Sequence, residues 1–86
     1  MTVLFHGSVQ EYTAGESSCD AEGAPDMRAL IALLGERYGG QFTDFLLGDG
    51  LCFFLVNGKG IMMTGGLGTP LQPGDTVEVL PFVHGG

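Results

Sequence analysis

The feature that most constrains this chain is the run Leu51-Cys52-Phe53-Phe54-Leu55-Val56 with Asn57-Gly58 directly behind it. Six apolar residues are too few for a buried helix of ordinary length but suit a strand covered on both faces. Asn-Gly is the pair that best tolerates positive φ at both centres of a type I′ hairpin turn. The run is therefore predicted as a central strand of a sheet, with Ile61 to Met63 returning beside it. The chain has only 86 residues, so the sheet belongs to a small domain with a modest core.

The rest of the sequence supplies partners for that strand. Thr2 to Val9 reads as a first strand, with Val3, Phe5 and Val9 alternating, and Ser18 to Glu22 as a short second one. Met27, Leu30, Ile31, Leu34 and Tyr38 recur at spacings of three and four, the stripe of an amphipathic helix. Asp26 is placed to cap its start, and Gly39-Gly40 to end it. Gly35 inside the stripe costs about 1 kcal/mol against alanine and marks either a close packing approach or a weaker helix. Gln41 to Leu47 fits a short second helix or a turn. Pro73-Gly74-Asp75 is a turn, Thr76 to Leu80 alternates as the last strand, and Pro81 stops it. A sheet with one main helix across one face is an α+β layout. Residues 1–81 are expected to form one domain and residues 82–86 a flexible tail.

Charge excludes several functions. Ten acids face three bases (Arg28, Arg37 and Lys59), for a net charge of −7. Nucleic acid needs a basic face that three scattered cations cannot build, and an anionic membrane is disfavoured for the same reason. An acidic surface suits a protein partner with a basic docking face, or serves only solubility. The opening Met1 to Gly7 lacks the basic and long apolar regions of a secretion signal. No run approaches the roughly 20 apolar residues of a membrane span. A cytoplasmic chain with reduced Cys19 and Cys52 is expected.

Side-chain chemistry is sparse. Cys19 and Cys52 lack CxxC spacing, and His6 and His84 are far apart, so no metal pattern exists. Gly65 to Gly68 lacks the GK[ST] ending of a phosphate loop. Cys52 is expected in the core, and Cys19 exposed without an activator. Asp75 and Glu78 are expected on a solvated edge, and Met62-Met63 to divide between core and surface. Phe82 and Val83, apolar beyond the last strand, suggest docking, and His84 is a further partner contact. Gly85-Gly86 is the thinnest possible polypeptide, able to thread a narrow channel and place the Gly86 carboxylate in another protein's active site.

Leu71 to Gly86 resembles the end of the ubiquitin-like sulfur carriers of the MoaD/ThiS family: a leucine, a Gly-Asp turn, an alternating strand, a proline and Gly-Gly. Phe54 to Gly58 resembles the family's Val-Asn segment, and the opening strand and helix fall in the expected order. The likeness is specific over residues 51–86; Glu16 to Gly23 departs from the pattern, and the Gly65 to Gly68 loop is longer than usual. Length and the apolar strand resemble most the MoaD branch, the small subunit of molybdopterin synthase. The resemblance implies a β-grasp fold, a mixed sheet wrapped over one helix. It implies that an E1-like adenylating enzyme (MoeB/ThiF-like) uses ATP on the terminal carboxylate, and that a sulfur donor then makes a thiocarboxylate. The sulfur passes to a small-molecule precursor, of molybdopterin for the MoaD branch, with a MoaE-like large subunit as partner. The carrier is a co-substrate with no bound cofactor. Gly86 would bear the sulfur and Gly85 would be its slim neighbour, while Ile61, Leu80 and Phe82 match positions that face the partner. The alternatives are a carrier for thiamine thiazole or another sulfur pathway, and an interaction module that never carries sulfur.

Overall fold

The computed structural model describes residues 1–48 and 51–82. The elements are β1 (Thr2–Phe5), β2 (Ser18–Asp20), α1 (Met27–Tyr38), α2 (Gly40–Leu47), β3 (Cys52–Val56), β4 (Lys59–Gly60) and β5 (Thr76–Pro81), with short 3-10 turns between them. The strands form one sheet in the order β2-β1-β5-β3-β4. β1 and β5 are parallel and the other pairs antiparallel. This mixed sheet with helices on one face is the ubiquitin-like β-grasp fold.

Register decides which residues enter the core. Val79 lies between Phe5 and Phe54, and Val77 between Val3 and Val56. All six are buried, Val77 and Val79 completely. Side chains alternate across a strand, so these six share one face. Met27, Leu30, Ile31 and Leu34 of α1 and Phe42 and Leu46 of α2 close over it. Phe42 packs edge-on against Phe5 and Tyr38 and stacks on Tyr12.

Local chemistry sets the boundaries. The Asp26 carboxylate accepts from Ala29 N–H at 2.9 Å, capping α1. Gly39 takes φ +111° and ends it, and α2 begins at the next residue. The main helix α1 is thus joined over the sheet by α2, the short second helix that Gln41 to Leu47 allows. Gly35 is a close approach: a Cβ there would run into Thr43 Oγ1 of α2. Asn57 and Gly58 both have positive φ, as the hairpin turn requires. Asn57 also ties that turn to the start of β5, donating to Asp75 Oδ1 at 2.9 Å and accepting from Thr76 N–H at 3.0 Å.

Several expectations are corrected. β1 stops at Phe5; Gly7 takes φ +56° and residues 7–11 coil into a 3-10 turn that still buries Val9. The central strand is β5, not the Leu51 to Val56 run, and β3 is covered on one face only, with Phe53 exposed. The returning strand is only Lys59–Gly60; Ile61–Met63 is a 3-10 turn, because Ile-Met-Met offers no alternation for a ladder to use. β5 runs through Pro81, beyond which Phe82 N–H donates to Leu51 O at 3.0 Å.

Candidate functional site

The site is the open face where β3 and the end of β5 meet. Phe53 opposes Leu80 across the antiparallel ladder, and alternation turns both away from the helices. Phe82 follows, its ring edge-on to Phe53 at 6.1 Å between centroids. With His6, Gly7 and Pro81 they line a shallow depression of about 500 Å³. Gly7 leaves room for the proline: a Cβ would come within 3.2 Å of Pro81 Cγ. His6 Nε2 lies 3.0 Å from Glu78 Oε1, so a polar pair borders an apolar patch. Such a patch with a polar rim is typical of a protein-docking surface.

The expected site residues separate. Leu80 is half-buried on this face and Phe82 is exposed on it. Ile61, expected to face a partner, is instead 8% exposed and packed in the core. The 3-10 turn points Ile61 inward and leaves both Met62 and Met63 exposed, where one of the pair is expected inside. Val83, His84, Gly85 and Gly86 lie outside the described residues, as does most of the expected tail. Two participants were hidden in the sequence. Phe53 sits in a uniformly apolar run, and only its register opposite Leu80 shows that it faces out. His6 becomes informative only when the parallel β1–β5 pairing brings it to Glu78.

The remaining reactive groups are subdued. Cys19, expected exposed, is buried, and burial pushes its thiol up from the ordinary value. Cys52 is half-buried with its thiol pushed up to about 11 by burial, its Sγ near the carbonyls of Phe45 and Leu46. Neither is a thiolate nucleophile at neutral pH. The Tyr38 hydroxyl is also pushed up, by burial and by its 2.6 Å hydrogen bond to Glu16. Glu78 pairs with His6 rather than standing alone on a solvated edge, and Asp75 accepts from Gln72 N–H at 2.8 Å within its turn. Among the described residues no cluster of His, Cys, Asp or Glu could hold a metal ion, and no helix is long and apolar enough to cross a membrane.

The model of the ThiS family matches residues 3–86, nearly the whole chain. This chain belongs to the ThiS family. Its members are ubiquitin-like sulfur carriers, and solved structures agree with the assignment. CysO of Mycobacterium tuberculosis, described as an antigen, is 28% identical with a TM-score of 0.85, covering 95% of this chain and 98% of its own. CysO in the BexX/CysO complex of Amycolatopsis orientalis is 28% identical with a TM-score of 0.83, covering 99% and 98%. The complex of subunits 1 and 2 of molybdopterin-converting factor from Helicobacter pylori contains a chain 28% identical, with a TM-score of 0.66 and coverage of 99% and 96%. No curated protein matches the chain. Two of these ThiS-family relatives were solved with partner proteins, in keeping with a fold that works by docking.

Proposed function

We propose that this ThiS-family chain carries sulfur on the carboxylate of Gly86. A terminal carboxylate with a pKa of about 3.5 is ionised at neutral pH and is a poor acyl donor. In the proposed cycle a carboxylate oxygen attacks the α-phosphate of ATP on an E1-like enzyme, pyrophosphate leaves, and an acyl-adenylate forms. A sulfur nucleophile then displaces AMP and leaves a thiocarboxylate. No side chain of the carrier is needed, which agrees with its subdued thiols. The chain binds no cofactor of its own; ATP belongs to the activating enzyme. A cytoplasmic setting is part of this reading, the compartment in which Cys19 and Cys52 would stay reduced.

The observation that carries this reading is the short span between a held strand and the terminal glycines. β5 is paired on both sides, and Gly86 stands four residues beyond Phe82. Four residues reach at most about 14 Å when fully extended. An enzyme that acts on Gly86 must therefore come within about 14 Å of Phe82, near enough to rest on Phe53 and Leu80. Val83 and His84 fall within its contact, and Gly85 leaves a channel wide enough for main chain alone.

The test is the intact mass after incubation with ATP, an E1-like enzyme of MoeB/ThiF type and a sulfur donor. The expected product gains the mass of oxygen replaced by sulfur, and a chain lacking Gly86 folds but gains nothing. Activation of the shortened chain overturns the assignment. For the acceptor, the likeness to the molybdopterin-converting factor chain supports a molybdopterin precursor and a MoaE-like large subunit. The alternative is a different small-molecule sulfur pathway, such as that of thiamine thiazole. Transfer of labelled sulfur to a molybdopterin precursor in the presence of a MoaE-like subunit decides between them.

A further inference from the structure

A second surface lies across the sheet from the docking face and does not depend on the sulfur-carrier reading. Among the described residues β2 is an edge strand paired with β1 alone. Phe5 N–H donates to Ser17 O and Ala21 N–H to Met1 O, both at 2.9 Å. Antiparallel ladders alternate bonded and unbonded pairs, so Cys19 directs its main-chain groups to Val3, and Ser18 and Asp20 direct theirs away from the sheet. Arg37 of α1 marks this outward direction, its Nη1 donating to Asp20 O at 3.0 Å. Between β2 and α1 runs a groove of about 340 Å³. Ala21, Leu33 and Leu34 give it an apolar floor, while Asp20, Glu22 and Glu36 oppose Arg37 on its rim.

We infer that this groove receives an extended peptide segment of a partner protein, apolar with flanking Lys or Arg, which adds to β2 as a sixth strand. The outward groups of Ser18 and Asp20 supply ladder hydrogen bonds, the usual source of affinity in strand addition. An apolar side chain of the segment covers the half-buried Leu33. Its cations meet three rim acids against one rim base, and this charge balance selects a basic occupant. A second copy of this chain is a poor occupant, since both copies carry a net charge of −7. Arg37 acts as a guard. Its guanidinium holds the Asp20 carbonyl, and the incoming strand must displace it. An unguarded edge would template unwanted pairing.

The experiment pans a display library of random heptapeptides on the intact chain and titrates the best synthetic peptide into ¹⁵N-labelled protein. Enrichment of apolar sequences bearing Lys or Arg is expected. Amide shifts should map to residues 18–22 and 33–37, with slower exchange at Ser18 and Asp20. Arg37→Ala should tighten binding about two- to fivefold, by freeing the Asp20 carbonyl and removing a like charge, and Glu36→Lys should weaken it by a similar factor. Ser18→Pro should abolish binding by removing an outward donor. If Ser18→Pro fails to fold, the two exposed helix substitutions still decide the matter. No basic enrichment, shifts confined to the Phe53–Phe82 face, self-association in place of peptide binding, or weaker binding by Arg37→Ala overturns the proposal. Binding must also survive deletion of Gly86, which separates this result from any failure of the sulfur-carrier reading.

Discussion

Within β5, Val77 and Val79 are fully buried under the helices, while Glu78 and Leu80, one residue away from them, lie on the open face. A single strand thus does two jobs, and the period of two keeps them apart. Buried positions hold the sheet to α1 and α2. Outward positions, continued by Phe82 and paired with Phe53, form the open apolar surface proposed to meet a partner. Substitutions on the covered side should therefore cost stability and spare recognition, and those on the open side the reverse.

The strongest way to break that separation is a pair of phenylalanines. Phe42 is fully buried among Phe5, Tyr12 and Tyr38. Phe42→Ala should cost about 3–5 kcal/mol, close to the whole stability of so small a domain, and bring the urea midpoint near zero. Phe82 is exposed and meets Phe53 edge-on, so Phe82→Ala should cost at most about 1 kcal/mol. It should nonetheless slow thiocarboxylate formation by tenfold or more if that surface seats the activating enzyme, an order of magnitude for a buried interface aromatic. Equal urea midpoints for the two variants would dissolve the division between the faces.

An intermediate effect sharpens the covered side. Gly35→Ala gains about 1 kcal/mol of helix propensity but drives a methyl into Thr43. Overpacking of this kind costs about 1–3 kcal/mol, so the single variant should be less stable. Gly35→Ala with Thr43→Ala should recover the loss, and failure of a thermal melt to show that recovery would deny the close approach.

The smallest effect sits at the turn entering β5. Hydrogen bonds from Asn57 and Gln72 hold the exposed Asp75 carboxyl below its ordinary value of 3.8. A folded-state value below the unfolded one adds stability above the unfolded value, and that stability is lost as pH falls through the folded one. Asp75→Asn should flatten the acid limb of a stability-versus-pH curve below about pH 4 and leave the neutral region nearly unchanged. An unaltered acid limb would show that this turn does not couple to folding.

What could be read in advance follows physical range. The Asp26 cap, the α1 stripe, the Asn57-Gly58 turn and the alternation of β5 are local and legible from neighbouring residues. Residues 7–9 and 61–63 read as strand in the sequence but form turns, because apolar side chains are buried by turns as well as by strands. Phe53 was hidden for a different reason: which face of a strand is covered depends on the helices above it, not on its own composition. The likeness over residues 51–86 pointed to the right family, while the identity of the buried and exposed members of Ile61-Met62-Met63 needed the coordinates.

The parallel pairing of Thr2 with Thr76 has a consequence for how the protein is made. β1 leaves the ribosome before β5 and must wait for it, and β5 also supplies the ladder that holds β3. A nascent chain that lacks this strand has no sheet centre and stays open to proteolysis. Synthesis that stops early therefore yields an unfolded fragment rather than a folded decoy. If Gly86 carries sulfur as proposed, the activating enzyme is spared competition from broken copies, because the strand that completes the fold lies just before Gly86 in the sequence.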